Sequence, residues 1–92
     1  MADIELSRSH SLGVTEGREA VERVAKQLEE DIGVTYQWSE DTLHFDGQGA
    51  EGHIEVEQEM VQIAIHLSAF LRPMQSRLRK EAERYLDRHL QS

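Results

Sequence analysis

From Met60 to Leu67 the apolar residues Val61, Ile63, Ile65 and Leu67 fall at every second position. That is the period of a strand with one buried face. It is the most apolar strand in the chain, which predicts an interior place in a sheet with partners on both sides. Arg72-Pro73 ends the alternation. Beyond it Met74, Leu78, Ala82, Tyr85, Leu86, His89 and Leu90 recur at helical spacing. Proline at a first helical position loses no hydrogen bond, so Pro73 marks a helix start. One strand thus feeds one amphipathic helix able to fold back across the sheet.

Upstream, Asp3–Ser9 alternates with Ile4 and Leu6 on one side, and the polar run to Gly13 predicts a turn. Thr15 has the chemistry of a helix N-cap, and Glu16 then sits in the first turn, where the helix dipole favours an anion. Ala20, Val21, Val24, Ala25 and Leu28 line one helical face, with Ile32 completing the stripe and Gly33 closing the helix. Glu19–Arg23 and Glu22–Lys26 are acid-before-base pairs assigned to the opposite face. Three short strands follow, with Val34, Tyr36 and Trp38, then Leu43 and Phe45, then Ile54 and Val56 each sharing a side. A two-residue turn at Glu40-Asp41 sets Trp38 opposite Leu43 and Tyr36 opposite Phe45. A second turn at Gln58-Glu59 sets Val56 opposite Val61. Neither turn has the glycine that the common hairpin types prefer. A looser Asp46–Gly49 connection places His44 opposite Glu55 and Asp46 opposite His53.

The element order is therefore β-α-β-β-β-β-α in one α+β domain spanning residues 1–92. The first strand cannot form a hairpin with the second, because a helix intervenes. Placing it beside the fifth gives a five-stranded antiparallel sheet of order 2-3-4-5-1, with two helices on one face and a right-handed crossover. The topology resembles TATA-binding-protein-like and helix-grip folds.

Composition narrows the function. A 92-residue chain buries only about 60–65 % of its unfolded surface, so it holds one modest core. With no cysteine it offers neither thiolate ligands nor a thiol nucleophile. The opening Met1-Ala2-Asp3-Ile4-Glu5 has no basic and apolar leader, and no apolar run reaches the roughly 18 residues of a membrane span, so a cytoplasmic protein is expected. The net charge of −8 is unevenly spread: residues 1–71 balance at −11 and residues 72–92 at +3. Between Gln27 and Leu71 there is no lysine or arginine, which argues against nucleic acid binding across the sheet.

Histidines are the first candidates for chemistry. His44, His53 and His66 fall on the polar side of the sheet, but they assemble only in pairs, short of the three or four ligands a divalent ion needs. No metal and no cofactor are expected. Arg8 and His10 share the parity of Ile4 and Leu6, which places two polar side chains at the apolar face. They form a candidate polar anchor, and the plain reading is a hydrogen bond to a helix end or loop carbonyl. No phosphate loop, nucleophile elbow or HExxH sequence is present. Trp38, Tyr36, Phe45 and Phe70 are assigned to the core. On the last helix, Arg77, Lys80, Arg84 and Arg88 lie along one outer flank. Such a stripe is commonly a solvated face; its sharper reading is a docking strip for a partner.

Three stretches together resemble the polyhydroxyalkanoic acid system protein family. They are Ile4–Leu12 (IELSRSHSL), Trp38–Phe45 (WSEDTLHF) and Leu67–Met74 (LSAFLRPM). The resemblance runs nearly end to end, and Arg8-Ser9-His10-Ser11-Leu12 is its most distinctive piece. It implies a small bacterial protein associated with polyhydroxyalkanoate synthesis, storage granules and their use, and brings no catalytic residues with it. The expectation is a non-enzymatic accessory or regulatory protein that binds a protein partner or the granule coat, with a second copy of the chain as another candidate partner. The alternatives are a small lipid or acyl-ligand carrier, with a pocket between the sheet and the last helix, and an enzyme acting on the polymer or its monomers. An unfilled apolar volume would mark the carrier; converging polar groups in a cleft would mark the enzyme.

Overall fold

A computed structural model describes residues 2–47 and 49–90, apart from the side chain of Ile32. The predicted place of Ile32 in the helical stripe, and of Gln48 in the glycine-rich connection, therefore lie outside the described residues. The elements are β1 (Ile4–Ser9), α1 (Gly13–Ile32), β2 (Thr35–Ser39), β3 (Thr42–Gly47), β4 (Ala50–Val56), β5 (Met60–Leu67) and α2 (Gln75–His89). A single 3₁₀ turn, Arg72–Met74, carries Pro73 and leads directly into α2. All strand pairs are antiparallel, in the order β1-β5-β4-β3-β2. This is the expected sheet, with β5 inside and β1 and β2 at its edges.

The alternation explains the layering. Ile4, Leu6, Leu43, Phe45, Ile54, Val56, Val61, Ile63 and Leu67 are buried on the face that carries the helices. α1 packs over β2, β3 and β4, while α2 covers β1 and touches α1. From α1 come Ala20, Val21, Val24 and Ala25, and from α2 come Tyr85, Leu86 and the following Leu90. Phe45, Gly52 and Ile65 stand in one cross-strand row. A Cβ on Gly52 would lie 2.1 Å from the Ala64 carbonyl oxygen and 3.0 Å from Phe45 Cζ, so the row requires glycine there.

Both predicted turns form with the predicted registers: Trp38 faces Leu43, Tyr36 faces Phe45 and Val56 faces Val61. Glu40 supplies the left-handed residue of the first turn, with φ of 55°. The β3–β4 register differs from expectation by two residues. Gly47 continues β3 opposite Ala50, so His44 faces His53, Asp46 faces Glu51, and Glu55 faces Thr42. The physical reason is the tightness of the connection: Gly47 belongs to the strand, packed against Val34, and Gly49 takes the positive φ of 91°.

Four other local expectations change. α1 begins at Gly13 rather than after Thr15, and no side chain caps it. Glu22 does not face away from the sheet: its carboxylate accepts hydrogen bonds from Tyr36 Oη and, at 2.7 Å, from Trp38 Nε1. Trp38 is only half-buried, because β2 is an edge strand; Arg18 stacks over its ring, 4.7 Å from the centroid. Phe70 is not in the core but 70 % exposed.

Candidate functional site

Between the sheet and the two helices lies an apolar cavity of about 560 Å³. Ile65 and Leu71, both partly exposed, open onto it, with the buried side chains of Ile4, Phe45, Ala50, Ile54, Ile63 and Leu67 packed behind them. Val24 and Leu28 of α1 form one wall, and Leu78 and Ala82 of α2 the other. Ala82, partly exposed on the α2 wall, presents only a methyl group to the gap. The volume falls within the range of about 300–1,000 Å³ usual for small-molecule pockets. Asp31, Met74 and Arg77 are lining residues that also reach solvent, and they mark the mouth. Met74, at the start of the apolar helical series, lines the cavity yet is 40 % exposed.

Polar groups gather at the rim. Tyr85 Oη donates to Asp31 Oδ2 at 2.6 Å, tying α2 to α1. That bond, reinforced by burial, pushes the Tyr85 phenol up to about 12, so it stays a donor at neutral pH. Nearby, His89 Nε2 lies 3.4 Å from Gln27 Oε1, a long contact. Burial first, then the Arg88 and Arg23 charges, lower the His89 pKa. Asp3 fixes the other end of the wall. Its Oδ2 accepts the Leu67 N–H at 2.7 Å, and its carbonyl accepts Gln75 Nε2 at 2.6 Å, joining β1 to the end of β5 and the start of α2. Sequence reading missed Asp3, Asp31 and Glu22 as organising carboxylates. Their partners are remote in the chain, so no local spacing signals them.

Arg8 and His10 do not meet at one site. His10 is 8 % exposed, and its Nδ1 accepts the Leu12 N–H at 3.1 Å. Its proton is therefore on Nε2, which donates to the Glu57 carbonyl at 2.9 Å. With its backbone N–H on the Glu59 carbonyl, His10 pins the end of β1 to the β4–β5 turn. Arg8 instead reaches α2, with Nη2 3.2 Å from Glu83 and Nε 3.2 Å from Asp87.

Arg77, Lys80, Arg84 and Arg88 are all exposed along α2, and none lies within 4 Å of a carboxylate among the described residues. Arg77 also reaches the cavity mouth. The uncovered face of the sheet carries Glu5, Asp46, Glu51 and Glu55 with His44, His53 and His66. The His44 and His53 rings stand 6.2 Å apart between centroids. Among the described residues no three histidine or acidic side chains are placed to hold a metal ion. Nor is any helix among them long and apolar enough to cross a membrane.

Fold and cavity define a small α+β protein in which a sheet and two helices border a partly open apolar space. A family model described as Putative polyhydroxyalkanoic acid system protein matches residues 4–90, and the chain belongs to that family. Membership ties the chain to the polyhydroxyalkanoate system. Comparison with curated proteins and with solved structures gives no match.

Proposed function

We propose that this protein serves the polyhydroxyalkanoate system by binding rather than catalysis, and that its cavity holds an acyl chain of a hydroxyalkanoate or related lipid. The cavity itself carries this reading. Its lining is mainly apolar, with Asp31, Arg77 and Glu81 the charged exceptions, and each methylene moved into it from water contributes about 0.8 kcal/mol. The polar groups stand at the rim, where Tyr85 and Asp31 are engaged with each other, so the interior favours a chain and the mouth a polar head. This is the acyl-carrier alternative, favoured by the unfilled apolar volume that distinguishes it.

The test is titration with a fluorescent medium-chain fatty acid, displaced by hydroxyalkanoic acids of increasing length. Affinity should rise with chain length until the cavity is full. Ala82→Phe should block binding while keeping the melting temperature at or above wild type, because the new ring fills existing space. Probe binding that is absent, or unchanged in Ala82→Phe, would sink the proposal.

A second reading concerns partners. The four α2 cations without nearby carboxylates favour an electrostatic docking strip for the granule coat or another acidic surface, including the sheet face of a second copy. Changing Lys80, Arg84 and Arg88 to glutamine should then release the protein from isolated storage granules at low salt without altering its fold. Retention by the triple variant would reduce the stripe to a solvated face.

A further inference from the structure

Phe70, 70 % exposed, and Met74, 40 % exposed, both lie in the segment joining β5 to α2. The segment is ordered by its own hydrogen bonds: the Leu71 and Arg72 N–H groups both donate to the Ser68 carbonyl. The Phe70 ring rests over Gly49, its Cζ 2.9 Å from where a Cβ would stand, so the bare glycine gives the ring its seat. An aromatic side chain held in place yet 70 % exposed has no intramolecular role that burial would explain. Arg72 lies between the two residues in the chain, and Arg77 follows Met74 by three positions. Arg72 makes only a 3.9 Å approach to Asp3, and Arg77 has no carboxylate within 4 Å among the described residues.

We propose that Phe70 and Met74, with Arg72 and Arg77 beside them, form an interfacial tip that seats the cavity mouth on an anionic lipid surface. The inference sharpens the docking reading of α2 and rests on it for the cations. Two independent features select a lipid surface. Apolar and cationic side chains are interleaved along the exposed segment from Phe70 to Arg77, the combination that enters a headgroup boundary, where rings reach the acyl region and guanidinium groups meet phosphates. Charge asymmetry then orients the approach, because residues 1–71 balance at −11 and residues 72–92 at +3. An anionic surface repels the open sheet face and attracts α2, over a Debye length of about 8 Å at physiological salt. An acidic polypeptide without apolar side chains would engage the cations alone and leave Phe70 idle, which is the contrast the polyglutamate arm below draws. Because Met74 and Arg77 also line the cavity mouth, the docked orientation points that mouth at the surface.

The experiment is cosedimentation of the full chain with vesicles of phosphatidylcholine alone, or of equal parts phosphatidylcholine and phosphatidylglycerol. Binding is expected only to the anionic vesicles, weakening as salt rises. Phe70→Ser with Met74→Ser should lower that binding about tenfold or more at unchanged melting temperature. Arg72→Gln with Arg77→Gln should weaken it and flatten its salt dependence. Phe70→Ser alone, which changes no cavity-lining residue, should leave fatty-acid probe binding intact, separating a failure of docking from a failure of the cavity. Equal binding to both vesicle types, none to either, or indifference to the Phe70 and Met74 changes would overturn the proposal. Retention on immobilised polyglutamate without vesicle binding would also overturn it, while leaving the docking strip in place for an acidic protein.

Discussion

Replacing Glu22 by glutamine tests how the edge of the sheet is held. β2 has no strand beyond it, and its inward residues Tyr36 and Trp38 are only half-buried. The Glu22 carboxylate of α1 accepts from both, using Oε2 for Tyr36 and Oε1 for Trp38. Glutamine keeps one oxygen for the indole N–H and turns an NH₂ toward the phenol, whose oxygen can accept it, so both contacts lose the carboxylate charge and become neutral. Hydrogen bonds to charged groups contribute about 1.5–3 kcal/mol, but water can partly replace these at an exposed edge, leaving a loss of about 1–2 kcal/mol. In a domain of this size that lowers the melting temperature by roughly 4–15 °C. The pH dependence supplies a sharper check. The Tyr36 hydrogen bond chiefly, helped by Trp38 and Lys26, holds the Glu22 carboxyl below its ordinary 4.5 despite the opposing effect of burial. A depressed carboxylate contributes stability that is fully present above the unfolded value and is lost as pH falls through the folded one. The gap between wild type and Glu22→Gln should therefore be full at neutral pH and close progressively below 4.5. The partner phenol, pushed up to about 12 mainly by the same bond, predicts a second loss as pH rises from 10 toward 12. Thermal melts across pH measure both limbs. Equal melting temperatures at pH 7, or a gap that persists undiminished in acid, would refute the reasoning.

Trp38→Ala should cost about 2 kcal/mol, less than the 3–5 kcal/mol of a fully buried ring, because the indole lies at an edge under Arg18; urea denaturation measures it. Gly52→Ala should cost about 3 kcal/mol or prevent folding, since its Cβ meets backbone 2.1 Å away; an unaltered midpoint would contradict the Phe45–Gly52–Ile65 row. Glu40→Gly should raise stability by about 0.5 kcal/mol, relieving a side chain held at φ 55°. Thermal unfolding should be indifferent to EDTA, and a chelator-induced drop in melting temperature would point to an ion on the His44, His53 and His66 face.

Strict alternation made the five strands, their inward residues and the sheet order readable from sequence, because one buried face leaves each strand a single workable parity. The two hairpin registers followed from turn lengths, even with Glu40 in place of the preferred glycine. The β3–β4 register did not follow. A run with two glycines can end the strand at either one, and only packing of Gly47 against Val34 decides it. Phe70 lies in a turn, where periodicity says nothing about direction. Glu22 has the spacing of a surface ion pair, and its turn inward depends on two donors presented by a strand that pattern alone cannot position in depth. Of the candidate site, the cationic flank of α2 was legible because helical rotation determines it. The cavity was not, because a stripe of apolar residues reads alike whether its side chains meet or leave a gap.

The pairing of the first strand with the last governs how the chain reaches its fold. Ile4 stands opposite Ile65, and β1 has no other strand neighbour. During synthesis from the N-terminus, β1 and α1 emerge long before the strand that completes their side of the sheet. Until β5 is available, Ile4 and Leu6 remain an uncovered edge, open to other chains. The β2–β5 meander can zip locally through short turns, whereas docking β1 must close a loop of some sixty residues, a slow step. Circular permutation that moves β1 to follow α2 would change that order of events while keeping every contact.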